Sequence, residues 1–272
     1  MSARVARSGD VEIAYSVEGG GEETVLLIMG MGGRAADWGK TFPSSLAEHY
    51  RVVRFDNRGV GGSPIASAGY TLSDLARDAT AVLDAVGASR AHVIGISMGG
   101  MISQLLAVEH PDRVARLVLM STHFGGSAVE PPGPEARRIF DPGEFRRLGK
   151  DPVAMMIFTL SVITPPGFCE RSPEVVEMMV ANVREEPTTA QSFMAQVQAI
   201  VSSDRSELVR RIRQPTLVVH GTEDDLIPPS NGKQLAERIP GARLALLDGI
   251  GHMPMLEAPD RLAELVLEFL KS

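Results

Sequence analysis

Gly95-Ile96-Ser97-Met98-Gly99 places a serine two residues from a glycine on each side. An apolar run, Ala91–Ile96, leads into it, and a helical pattern, Met98–Glu109, follows it. A serine hydroxyl is a weak nucleophile until a base takes its proton and a sharp turn exposes its oxygen. On such a turn the close neighbours must be glycine, because a Cβ would strike the adjoining backbone. The chemistry this spacing could perform is attack on a carbonyl, with Ser97 as the attacking group.

That chemistry needs an imidazole, and the chain has six histidines. His49, His92 and His110 border strands or helices, where surface or capping roles are expected. His123 follows a strand and could face the serine, while His220 ends a strand beside an acidic loop. His252 stands apart. It lies in Asp248-Gly249-Ile250-Gly251-His252-Met253-Pro254, after the last expected strand, where glycines permit a tight loop.

The elements that must position these residues alternate in type. Arg4–Ser8 and Val11–Val17 read as strands joined across Gly9-Asp10, followed by strands at Thr24–Met29, Arg51–Asp56, Ala91–Ile96 and Arg116–Met120. Helical patterns lie near Phe42–Glu48, Leu72–Val86 and Met98–Glu109. Thr216–His220 and Arg243–Leu247 resume the strands, with helices near Gln234–Ile239 and Arg261–Leu270. This alternation implies an α/β fold with a mostly parallel central sheet and right-handed crossovers. The 91-residue stretch from His123 to Arg213 breaks the rhythm. It shows helical patterns cut by Pro131, Pro142, Pro152, Pro165, Pro173 and other prolines, and no strand. We read 1–122 with 214–272 as one core domain and 123–213 as an inserted helical lid.

Gly95-Ile96-Ser97-Met98-Gly99-Gly100 resembles the nucleophile elbow of the α/β-hydrolase superfamily, as do His110-Pro111-Asp112-Arg113-Val114 and Asp56-Asn57-Arg58-Gly59-Val60-Gly61-Gly62-Ser63 in their own segments. The resemblance spans nearly the whole chain and runs toward aclacinomycin-methylesterase-like and 3-oxoadipate enol-lactonase-like hydrolases. It implies the chain order Ser, Asp or Glu, His, which makes His252 the general base. Gly221-Thr222-Glu223-Asp224-Asp225-Leu226-Ile227-Pro228 is similar to the superfamily's acid loop, which assigns Asp224 as the orienting acid with Asp225 in reserve. It also implies an oxyanion hole built from the backbone amides of Met98 and Met31. Many relatives carry His-Gly where this chain has Met29-Gly30, so a side chain that often anchors that loop is missing. The activity implied is cleavage of esters or lactones. A perhydrolase or haloperoxidase is the near alternative, although those relatives usually have Thr where Met98 stands. A C–C bond hydrolase and a non-catalytic ligand-binding receptor on the same scaffold are the others.

Composition narrows the rest. The chain has 272 residues, a net charge of −7 and one cysteine, Cys169. The acidic balance argues against nucleic acid as a partner, and a lone cysteine allows no internal disulfide. The opening Met1–Asp10 lacks the apolar run of a signal peptide, and no apolar stretch reaches membrane-spanning length. A cytoplasmic enzyme acting on a small-molecule ester or lactone is expected, without membrane, metal or cofactor, and with homo-oligomerisation left open. Gly30, Gly32 and Gly33 could suggest a phosphate cradle, but no Lys-Ser/Thr follows them. Thirteen methionines against 5% aromatics is an imbalance. Met29, Met31, Met98, Met101, Met253 and Met255 flank the candidate loops, and Met155, Met156, Met178, Met179 and Met194 fall in the insertion. The expectation is an apolar, adaptable pocket with Gly30, Met29, Met155, Met156 and Met253 against substrate; plain core filling is its rival.

Overall fold

The computed structural model describes residues 4–66, 69–149 and 151–272, apart from the Phe145 side chain; Met1–Ala3, part of the opening segment read above, lie outside the described residues. Among the described residues eight strands form a single sheet: β1 (Arg4–Ser8), β2 (Val11–Glu18), β3 (Thr24–Ile28), β4 (Arg51–Phe55), β5 (Ala91–Ile96), β6 (Val114–Met120), β7 (Thr216–Gly221) and β8 (Arg243–Leu247). Their spatial order is β1-β2-β4-β3-β5-β6-β7-β8. The β1–β2 hairpin turns through Gly9 at φ 62° and joins β4 antiparallel, and every later pairing is parallel. All residues of β3, β5 and β7 are buried, as a parallel sheet covered on both faces requires.

Side chains alternate between the two faces with the strand period of two. Leu26, Ile28, Val93, Leu117 and Leu119 enter one apolar cluster, while Val25, Leu27, Ile94, Val118 and Met120 enter the other. On the second face lies α1 (Thr41–Ala47), with Phe42 and Leu46 turned inward. The first face carries α2 (Leu72–Ala85), started by a Thr71–Asp74 capping box, and α3 (Met98–Glu109). Met98 through Ala107 are all buried, so α3 is a core helix with no polar face.

Between β6 and β7 the described residues form five α-helices, two short 3-10 turns and no strand: α4 (Pro142–Arg147), α5 (Pro152–Ile163), α6 (Phe168–Arg171), α7 (Pro173–Glu185) and α8 (Ala190–Val201). Pro142, Pro152 and Pro173 each stand at a first helical position, where the missing N–H costs nothing. The prolines therefore start helices here rather than only interrupting them. Phe158, Leu160 and Ile163 join the second cluster, and Ala199 joins the first. The chain ends with α9 (Pro229–Arg238), α10 (Pro254–Glu257) and α11 (Pro259–Lys271). Apolar periodicity placed the ninth helix at Gln234–Ile239; Pro229 starts it five residues earlier, over a polar first turn that periodicity does not register. Likewise β6 begins at Val114, where pairing with Ala91 extends it two residues before the apolar core of the strand.

Candidate active site

Ser97 sits between the end of β5 and the start of α3 at φ 55°, ψ −121°, a backbone region that L-residues rarely occupy. Three bonds hold it there. Its N–H donates to the Met120 carbonyl (2.9 Å), and its own carbonyl accepts from Thr122 Oγ1 (2.7 Å) and from the Met101 N–H (3.2 Å). The flanking glycines are there for space. A Cβ on Gly95 would lie 2.3 Å from the Gly99 carbonyl oxygen, and one on Gly99 would lie 2.0 Å from the Ile28 carbonyl oxygen. Ser97 is partly exposed although its sequence neighbours are buried.

The histidine and the acid come from loops after β8 and β7. His252 Nδ1 lies 2.9 Å from Asp224 Oδ2, and both side chains are almost fully buried. A carboxylate only accepts, so Nδ1 carries the proton and Nε2 keeps its lone pair. Asp224 Oδ1 accepts from the Leu226 and Ile227 amides at 3.1 and 2.9 Å. Burial alone would raise this carboxyl; the charge and hydrogen bonds of His252 and His220 outweigh it and hold Asp224 well below the usual carboxylate range. His220 donates Nε2–H to the Ile227 carbonyl (2.7 Å), with Asp224 Oδ2 at 3.3 Å. Asp225 turns the other way, accepting from the Ala136 N–H at 2.7 Å. His252 is therefore paired with Asp224 and not with its neighbour.

Two further contacts fix the His252 loop. The His252 N–H donates to the Ile163 carbonyl of the insertion (2.8 Å). Glu257 grips the amides on either side, Gly251 at 2.6 Å and Met253 at 2.8 Å, one with each oxygen. Burial pushes the Glu257 carboxyl up to about 7 against the pull of those amides. Glu257 escaped the reading of the sequence; its signal was Pro254, which starts a single helical turn and brings residue 257 back beneath the loop.

The loop after β3 passes beside Ser97: a Cβ on Gly30 would lie 3.2 Å from Ser97 Cβ. The Gly33 N–H donates to the Gly30 carbonyl, closing a turn with Met31 and Gly32 at its centre. Neither the Met31 nor the Met98 amide donates to a protein acceptor among the described residues. Asn57 Nδ2 donates to the Met29 carbonyl (3.0 Å), and Gln196 and Thr188 of the insertion hold Gly32. These three side chains supply the anchorage that a histidine before Gly30 would have given.

A sequence model described as the alpha/beta hydrolase family matches residues 25–265. The chain belongs to the alpha/beta hydrolase family. Carbamate hydrolase RutD of Azorhizobium caulinodans is 30% identical over 264 residues, 97% of each chain. The crystal structure of a hydrolase from Pseudomonas aeruginosa has a TM-score of 0.83 at 31% identity, covering 99% of this chain and 98% of that one. That of the enol-lactonase from Burkholderia xenovorans also has a TM-score of 0.83, at 28% identity, covering 99% and 100%.

Asp56 and Arg58 of this alpha/beta hydrolase, which could pass for reactive groups, are engaged elsewhere. Asp56 accepts from the amides of Ala35 (2.7 Å) and Gly62 (3.0 Å), and Arg58 makes a two-pronged pair with Asp78 at 2.6 and 2.5 Å. His92, expected near the surface, is buried between Tyr50 and Glu23, because β5 is a central strand and carries its first residues inward. His123 Nδ1 accepts from the Gly125 N–H (3.0 Å), and burial lowers its pKa to about 4. The methionines divide. Met29, Met98, Met101 and Met255 are core side chains, Met253 is buried beside His252, and Met31, Met155 and Met156 are partly buried against the clusters. Met194 is 61% exposed.

Proposed function

We propose that the chain is a serine hydrolase that cleaves carboxylic esters or lactones of small-to-medium apolar groups through Ser97, His252 and Asp224. The observation that carries this reading is the 2.9 Å bond from His252 Nδ1 to the buried Asp224 Oδ2, which leaves Nε2 free as a base. His252 Nε2 takes the Ser97 proton as Oγ attacks the carbonyl carbon, forming a tetrahedral oxyanion. The amides of Met98 and Met31 are the donors assigned to that oxygen; each such donor is worth about 3 kcal/mol in the transition state. Collapse breaks the bond to the leaving alkoxide, which takes the proton back from His252. Water then attacks the acyl-enzyme with His252 again as base, releasing the acid and restoring the Ser97 hydroxyl. Residues 123–213 are the lid in this reading, with Gly30, Met155, Met156 and Met253 facing substrate; Met29, expected there too, is packed into the core.

A second reading has its own support. Likeness to a protein named carbamate hydrolase RutD supports carbamates as a further substrate class, because the same attack on an acyl carbon serves both. The test is a panel of p-nitrophenyl esters, lactones and aryl carbamates, with fluorophosphonate labelling of wild type and Ser97→Ala. Wild type should label and turn over, and Ser97→Ala should lose at least about 10³-fold in kcat and all labelling. A wild type that neither labels nor turns over sinks the hydrolase reading. Monochlorodimedone bromination with acetate and peroxide, if faster than hydrolysis, would point to perhydrolysis instead.

A further inference from the structure

We propose that Gln196, on helix α8 of the insertion, is a positioning residue for the Met31 amide, and so ties the insertion to the transition state. The inference rests on the serine-hydrolase reading above. Gln196 is fully buried, and its Oε1 accepts the Gly32 N–H at 2.7 Å across 164 residues of chain. Its Nε2 reaches the Arg58 carbonyl at 3.5 Å, so the side-chain amide spans the Gly30–Gly33 turn beside Ser97 and the loop after β4. Thr188 Oγ1 donates to the Gly32 carbonyl at 2.9 Å, so both polar groups of Gly32 are held by the insertion.

The consequence follows from turn geometry. Gly30 to Gly33 form a four-residue turn closed by the Gly33 N–H to the Gly30 carbonyl, with Gly32 in its third position at φ 71°. Positive φ there is the mark of a type II turn, whose central peptide is flipped relative to type I. That central peptide joins Met31 to Gly32, and its N–H is the one Gln196 accepts. Releasing it frees that peptide to rotate about Met31 ψ and Gly32 φ, and the turn that carries the Met31 amide loses a tether that fixes its position. An oxyanion donor works only while it is aimed in advance at the place where charge develops. The packing agrees with a clasp at this point. Phe193 lies against Gly32, and Ser192 lies against Gly59, whose φ is 83°.

Gln196→Met removes the acceptor while keeping length and volume, and Gln196→Glu keeps an oxygen for the Gly32 N–H. On p-nitrophenyl butyrate, Gln196→Met should lower kcat by roughly 30-fold or more with KM within about threefold of wild type. Phenylboronic acid, which forms a tetrahedral adduct on serine, should bind weaker by a similar factor. Gln196→Glu should stay within about fivefold of wild type on both measures. Thr188→Val, at a partly exposed site, should lower kcat by roughly three- to tenfold, and it carries the test if Gln196→Met does not fold. A Gln196→Met protein that is less stable but keeps kcat and boronate affinity per folded molecule overturns the proposal. So does a Gln196→Glu protein as slow as Gln196→Met, or, where Thr188→Val carries the test, an unchanged kcat in it. A wild type without turnover would instead overturn the reading beneath it, so the two failures are distinguishable.

Discussion

His252 hangs from a loop whose flanking amides are both held by Glu257, one by each carboxylate oxygen. A base must stay within hydrogen-bond reach of the proton it takes, and an ångström of drift can cost two orders of magnitude. Glutamine at 257 keeps one acceptor and presents an NH2 to the other amide, so the loop loses one tether and gains one repulsion. Glu257→Gln should lower kcat by about tenfold with KM nearly unchanged, read from steady-state kinetics on the same p-nitrophenyl ester. An unchanged kcat would show that the Ile163 carbonyl alone holds the loop. At this scale the candidate serine and histidine were legible, because glycine spacing and position after a strand are short-range signals. Asp224 was assigned through the resemblance of its loop, with Asp225 in reserve, because adjacent carboxylates in a loop differ only in where the surrounding backbone turns them; the structure turns Asp224 to His252 and Asp225 to the Ala136 amide.

At the scale of elements, the elbow depends on how closely β3 and α3 approach. The site for a Gly99 Cβ is 2.0 Å from the Ile28 carbonyl oxygen, and that atom is backbone in a fully buried strand. It cannot yield as a flexible side-chain end would. Gly99→Ala should destabilise the protein by about 3 kcal/mol, a fall of roughly 6 to 12 °C in Tm by thermal unfolding. Gly20→Ala serves as the control, since nothing lies within 4 Å of its Cβ and its φ is not positive. Equal Tm values for the two variants would contradict this account of the turn. Strand and helix assignments were largely legible, because apolar periodicity is a property of contiguous residues. Boundaries slipped where partners set them: Ala91 extended β6, and Pro229 started α9 ahead of its apolar stripe.

For the whole molecule, stability carries a signature in His123. Burial and, behind it, the charges of Arg205, His220 and His252 lower its pKa to about 4 from an ordinary 6.5. The Gly125 N–H bond to Nδ1 also requires the neutral ring. Between pH 6.5 and 4 the unfolded chain binds a proton there that the folded chain does not, so stability is present above this window and falls as pH drops through it. At 1.36 kcal/mol per pKa unit, the loss is about 3 kcal/mol at most. Urea unfolding at pH 7, 5.5 and 4 should show wild type losing more stability than His123→Gln by up to that amount. Parallel losses in the two proteins would remove His123 as the cause. The −7 charge bears on partners rather than on this window, and the methionine surplus divides between core packing and positions partly open to the surface, Met31, Met155, Met156, Met178 and Met179.

By itself the amino-acid sequence determined what short-range sterics and periodicity determine. These are the order of strands and helices, the strained serine between glycines, and the helical character of residues 123–213. The tertiary structure alone decided which oxygen meets which hydrogen over long separations. Asp225 turns to the Ala136 amide, Glu257 closes on the loop before it, and Gln196 reaches Gly32 across 164 residues of chain. The physical reason is the range of the forces involved. Backbone conformation responds to neighbours a few residues away, whereas a buried hydrogen bond is set by how distant elements pack, and packing leaves no periodic mark in the chain.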